Sequence, residues 1–495
     1  MSLRALLRRL VLPPLAAGLA VAGLALPARA DSLTDFPLLA LDFTDTITVV
    51  DGQSKTVRFA VDNLAGGGAA EDTVIRFGSL PVGLGFVPPA GCSATECKLG
   101  TLAPGKKHSY TFTVKPDSTV PLTSSFTVSL VLGGEELDGI DVQVVRTTRS
   151  SADLEISAVK DLELSRGESA SLPPVTIRNT GSGTSATLGL ILGSLDGVAP
   201  DMDRYRNCEH DDVEGVVVCV LDQTLAPGQK AAVDPSTPLA FRLGKNTPGP
   251  ASYSAAVFAV GLTDKYVAAF TKRNAGRTGD TLALKTTSSA AGLTDGDVGD
   301  DLNPDDNAAT FQVTAPTAPA DGKAVGAVFR GAPGDRVTVE VGTENLGPFA
   351  TVPLSLTSLR YVHVQLPTGV TLNAADDMCL PGTSPKDVAL DGAPAGRDWV
   401  CLVLVQVPKG RKSLFTLTAT IEDGAHEAGF VQAENGVQDT VAGNDRAPLT
   451  VEVQDSLPLT GPSAGLLAGA GAVLLVAGLF VVRMARRRRI VTVVD

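Results

Sequence analysis

The chain has 495 residues, 44% of them hydrophobic and only 4% aromatic, with a formal net charge of −13 at pH 7. That length is too great for one β-sandwich and suits roughly two to four domains, and the negative balance excludes a surface built to hold nucleic acid or anionic lipid. Four histidines, none in a GxSxG or HExxH setting, and acids too numerous to nominate a glycosidase pair, give no support to catalysis.

At the N-terminus Arg4, Arg8 and Arg9 precede an apolar run from Leu10 to Leu26, and Ala28-Arg29-Ala30 supplies small residues before Asp31. This is the pattern of a secretory signal peptide over residues 1–30. Six cysteines in an exported chain point to disulfides rather than thiol chemistry. They fall as three local pairs, Cys92 with Cys97, Cys208 with Cys219, and Cys379 with Cys401.

The pairs sit inside three passes of one pattern. The first opens with the alternating strand Lys55 to Asn63, meets a glycine cluster, passes Cys92 and Cys97, turns at Leu102-Ala103-Pro104-Gly105 and resumes as a strand at Tyr110 to Val114. The second runs from Val175 to Asn179, then Gly181, Cys208, Cys219, Leu225-Ala226-Pro227-Gly228 and Leu239 to Leu243. Cys208-Glu209-His210 with Cys219 offers three ligand types, but no second CxxC or HxxxH completes a zinc set, so no metal is expected there.

An acidic stretch, Asp295, Asp297, Asp300 and Asp301 continuing to Asp305 and Asp306, has the look of a calcium loop. It has Asp300 where such a loop needs Gly and Asp306 where it needs Glu, so these acids are weak calcium candidates and an exposed acidic turn is the expectation. The strand Thr310 to Val313 then closes the second pass, and the alternating prolines of residues 315–322 read as a stiff spacer. The third pass has Val337 to Val341, Asn345, Gly347, Cys379, Trp399, Cys401, Val407-Pro408-Lys409-Gly410 and Leu414 to Thr418. Trp399 is placed to pack on the disulfide of Cys401.

Period-two alternation, β-branched residues, frequent Gly and Pro turns and no convincing amphipathic helix predict an all-β chain of antiparallel sandwiches. The landmarks resemble the immunoglobulin-like repeats found in tandem on bacterial surface proteins, whose modules carry an xNxG turn, paired cysteines and an L-x-P-G turn. The resemblance implies three such sandwiches, over residues 31–149, 152–314 and 323–455. In some wall-anchored sandwiches a lysine joins an asparagine or aspartate beside a buried acid; the sequence alone does not show such a meeting.

After the third pass comes Leu457-Pro458-Leu459-Thr460-Gly461, then an uncharged run over 462–482, then Arg483, Arg486, Arg487, Arg488 and Arg489 in a basic tail over 483–495. As a helix rising about 1.5 Å per residue, the run is long enough for a hydrocarbon core of roughly 30 Å, with the arginines on the cytoplasmic side. Motif, span and basic stop together resemble the LPXTG cell-wall sorting signal of Gram-positive surface proteins. The resemblance implies that a sortase thiolate attacks the Thr460 carbonyl and passes the acyl group to an amine of peptidoglycan, by the logic of an acyl-enzyme.

The expected partners are therefore sortase and peptidoglycan, the membrane in the precursor, and an extracellular protein or glycan, with no nucleic acid, no cofactor and no enzymatic activity. The expected role is surface display, adhesion or structure in the cell wall. The alternatives are an extracellular hydrolase or a calcium-dependent carbohydrate-binding protein, and a plain membrane-held ectodomain that sortase never cuts.

Overall fold

The computed structural model describes residues 37–64, 68–194, 197–211, 215–288, 301–353, 359–385 and 396–454. The expected leader, the motif at 457–461, the span at 462–482 and the basic tail lie outside them. Among the described residues no helix is long and apolar enough to cross a membrane.

The described chain is mostly β, and its strands build three successive units, each with its own core, Val352 of the third packing into that of the second. In the first, a four-stranded sheet ordered Leu38–Asp42, Lys55–Leu64, Lys106–Pro116, Leu84–Val87 faces a five-stranded one ordered Thr46–Val50, Glu135–Thr147, Thr123–Leu132, Ala70–Phe77, Glu96–Leu102. Val57, Phe59 and Val61 from one sheet meet Ile75, Phe77, Val128 and Leu130 from the other in a single buried cluster, as period-two alternation dictates. Phe112 packs within 6.4 Å of five other phenylalanine rings, among them Phe59 and Phe126, and truncating such a residue costs about 3–5 kcal/mol.

The third unit repeats the plan. Gly322–Val325, Arg336–Asn345, Lys412–Ile421 and Val370–Ala375 form one sheet. Ala327–Gly331, Arg446–Val453, Gly429–Glu434, Tyr361–Gln365, Asp398–Leu402 and Cys379–Pro381 form the other. The second unit elaborates it, adding to its four-stranded and six-stranded sheets a small third sheet of Ser169–Ser171, Ala240–Leu243 and Val198–Pro200.

Two features depart from the sequence reading. The sheets are not wholly antiparallel: Thr46–Val50 runs parallel to Glu135–Thr147, Leu162–Glu163 to Ala308–Ala315, and Ala327–Gly331 to Arg446–Val453. In each unit the chain crosses from one sheet to the other soon after its first strand, and the crossed segment lies beside the last strand in the same direction. There is also a helix, α1 (Asp264–Arg273), capped by Thr263 and burying Phe270. It covers the outer face of the sheet at Ile191, Val216, Val218, Phe258 and Val260, which form a second small core with Phe270.

The recurring asparagine explains the repeat. Asn63, Asn179 and Asn345 are fully buried, and each donates its side-chain amide to the carbonyl that opens the Pro-Gly turn: Leu102, Leu225 and Val407, all at 2.8 Å. The turn glycine returns the bond, Gly105, Gly228 and Gly410 donating N–H to the asparagine carbonyl at 2.6, 2.9 and 2.6 Å. All three glycines hold φ near +72°, a conformation that a side chain penalises.

Candidate functional site

The cysteine pairs are disulfides. Cys208 faces Cys219, and Cys379 faces Cys401, directly across neighbouring strands with Cα atoms 3.9 Å apart; Cys92 and Cys97 close a turn at 4.5 Å. Trp399 is buried in the same core as Cys379 and Cys401. The other ligand types near Cys208 are engaged elsewhere: Glu209 binds Arg273 of α1 at 2.9 Å, and His210 Nε2 lies 2.7 Å from Asp203. Among the described residues no group of three or more His, Cys, Asp or Glu is arranged to hold a metal ion.

Of the weak calcium candidates, Asp295, Asp297 and Asp300 lie outside the described residues. Asp301 is a structural clamp: its Oδ2 accepts the Leu154 N–H at 2.9 Å and its Oδ1 the Asn303 N–H at 3.0 Å. Asp439 does the same in the third unit, accepting Gly322 N–H and Val441 N–H, both at 2.8 Å. The turn before the final strand is thus a repeated element, pinned to the first strand by an aspartate. Burial pushes the Asp301 carboxyl up to about 6, with the negative charge of Asp153 adding to it.

The densest chemistry lies where the first and second units meet, and the sequence reading did not single it out. Lys55 begins its strand on the same parity as Val57, Phe59 and Val61, so its side chain would point inward at the sheet end; it is 4% exposed. Its Nζ lies 2.6 Å from Asp153 Oδ2, 2.6 Å from Asp306 Oδ2 and 3.1 Å from Glu155 Oε1, all in the second unit. Burial works against the ammonium, but Asp306, Asp153 and Glu155 outweigh it and raise Lys55 above ordinary lysine. Burial also drives Asp306 well above the ordinary carboxylate range, against the pull of Lys55. One ammonium cannot balance three carboxylates in a dry site, so Lys55 stays charged while Asp306 is hard to ionise.

Asn303 completes this junction, donating to Asp153 Oδ1 at 2.9 Å and to the Thr48 carbonyl at 3.0 Å, and accepting the Thr48 N–H at 2.6 Å. Between the second and third units Gln438 donates to the Gly249 carbonyl at 2.6 Å, and the Arg166 guanidinium lies 5.0 Å from the Phe349 ring centre. Arg166 also donates to the carbonyls of Pro316 and Thr317, tying down part of the expected spacer.

Among the described residues no hydrolytic constellation forms around the histidines. His363 Nε2 lies 2.9 Å from Asp398 on the neighbouring strand, and its ring sits edge-on to Phe430. His426 lies against the Thr368 carbonyl. The buried Arg360 binds Asn435 rather than a carboxylate, and burial pulls it down to about 10. The space it lines with Val352, Asn435 and Gln438 is the size of one water.

The last described strand ends close in sequence to Leu457. Gln454 N–H donates to the Gly331 carbonyl at 2.9 Å, so the fold holds the backbone to within three residues of Leu457.

No family model and no curated protein matches the chain. Among solved structures, the I9-I11 tandem of titin is 10% identical, the match covering 84% of this chain and 99% of that one with a TM-score of 0.15. A protein of unknown function from Porphyromonas gingivalis W83 is 11% identical over 56% of this chain and 99% of its own, with a TM-score of 0.16. The ASH / PapD-like domain 7 of human CEP192 is 14% identical over 26% and 95%, also at 0.16. Likenesses this slight carry no weight for function.

Proposed function

We propose that the chain is an exported surface protein of three immunoglobulin-like sandwiches, cut by a sortase after Thr460 and joined through that residue to peptidoglycan. Its role on this reading is non-catalytic: display, adhesion or structural support, toward an extracellular protein or glycan. The observation that carries it is the order of parts at the C-terminus, Leu457-Pro458-Leu459-Thr460-Gly461, then an uncharged run, then five arginines. Pro458 presets an extended, bent segment that an enzyme groove holds at little entropic cost.

Three disulfides and no free cysteine among the described residues fit an oxidising compartment outside the cell. The parallel pairing of the near-first and last strands suits an anchored chain. Tension from the C-terminus in the third unit runs along Arg446–Val453 and loads its ladder with Ala327–Gly331 in shear, all rungs together. Cell fractionation tests the proposal: muralytic enzymes should release the protein and detergent should not. Release by detergent alone would make it a membrane-held ectodomain.

A further inference from the structure

We infer that Lys55 and Asn303 form a latch that makes the first and second units move as one body, and that the latch depends on the Lys55 charge. Each half belongs to a different unit. The carboxylates of Asp153, Glu155 and Asp306 gather at one corner of the second unit, and Thr180 Oγ1, 2.8 Å from Asp153 Oδ2, holds the nest in shape. The cation comes from the first unit, and the three carboxylates it pairs with all belong to the second.

The second contact is independent of charge. Thr48 lies on the edge strand Thr46–Val50, whose neighbour Glu135–Thr147 is bonded through the backbone of flanking residues, as Gln143 N–H to Asp45 O and Asp51 N–H to Thr147 O show. By the alternation of a parallel ladder, the Thr48 N–H and C=O point away from that neighbour, and Asn303 takes both. The Thr48 amide is therefore protected by the second unit and by nothing in its own sheet. Peripheral bonds from Thr44 to Asp305 at 3.3 Å and from Lys107 to Thr310 at 3.2 Å extend the seam.

An ammonium shared by one buried carboxylate, Asp153, and two partly buried ones, Glu155 and Asp306, is hard to replace. Removing it leaves like charges facing one another in a dry site, which costs more than undocking and letting water in. The latch would fix the orientation of the first unit, whatever that unit contacts.

Hydrogen exchange on the full chain tests this. In Lys55→Met the Thr48 amide should exchange faster by about tenfold or more, while the Phe59 amide, inside the first core, keeps its protection. The charge-swapped pair Lys55→Asp with Asp306→Lys should restore slow exchange at Thr48 relative to Lys55→Asp alone. Unchanged Thr48 exchange in Lys55→Met, or a swapped pair no slower than the single variant, would overturn the latch. Loss of Phe59 protection in Lys55→Met would instead make Lys55 a fold determinant of the first unit, and would overturn it too. A reversible ion pair also requires an intact mass with no water missing; a deficit of one water that Lys55→Met removes would show Lys55 joined covalently to a carboxylate and would overturn the latch.

Discussion

The side-chain amide of Asn179 donates to the Leu225 carbonyl at 2.8 Å and to the Gly183 carbonyl at 2.8 Å, while its Oδ1 accepts the N–H groups of Asp153 at 3.1 Å and Gly181 at 3.0 Å. One buried residue thus ties the first strand, the glycine turn and the Pro-Gly turn of its unit. Asn345 repeats the arrangement with Val407, Phe349 and Gly347.

Replacing Asn179 by Ala leaves these backbone groups buried without partners. The expected loss is about 3 kcal/mol or more from the second unit, read as a lower denaturant midpoint. A midpoint within error of the parent would show that water or backbone shifts replace the clamp at no cost.

The Cys208–Cys219 and Cys379–Cys401 bridges join strands already in register, so they act mainly by restricting the unfolded chain. Replacing Cys379 and Cys401 by Ser should cost about 3 kcal/mol. Intact mass before and after reduction should differ by two hydrogens for each of the three bridges in the described residues. A chain that gains none carries free thiols.

Asp301 gives the second unit a pH dependence of definite sign. Its carboxyl titrates near 6 in the fold and near the ordinary aspartate value of about 4 when unfolded, so the fold holds an extra proton between the two. The stabilisation is fully present below about pH 4 and is lost as pH rises through 6, by an amount on the order of 3 kcal/mol. Denaturation of the second unit at stepped pH should show this fall, and Asp301→Asn should reduce it, whatever its effect on absolute stability, leaving the part of the same sign that Asp306 contributes. A slope that survives in Asp301→Asn belongs to other groups.

Much of the fold was legible because the landmarks are mechanical. Alternation at Lys55–Leu64 and Arg336–Asn345 and the Pro-Gly turns each correspond to a contact, whereas the asparagines, legible as turn residues, are buried clamps instead. Helix α1 was not legible, since its ten residues bury only Phe270 and carry no sustained apolar stripe. The signal for it lay in the sheet: Val216–Val220 is buried at all five positions, and a strand apolar on both faces needs cover on both. The parallel pairings escaped because they join segments more than eighty residues apart, and nothing local encodes them. The Lys55 junction left one clue, a lysine on the inward parity of its strand, but its carboxylate partners lie on another unit. The pinning role of Asp301 was hidden by the surrounding acids, which resemble a calcium loop rather than a backbone clamp, and Asp439 carries no local pattern that marks its role.

Covalent anchoring through Thr460 is tested most directly by Thr460→Ala, followed by boiling isolated sacculi in detergent and measuring the protein that stays attached. The variant should leave the sacculi almost free of the protein and accumulate in the membrane fraction with its C-terminal arginines still present. Attachment equal to that of the parent chain would contradict sortase processing at this residue.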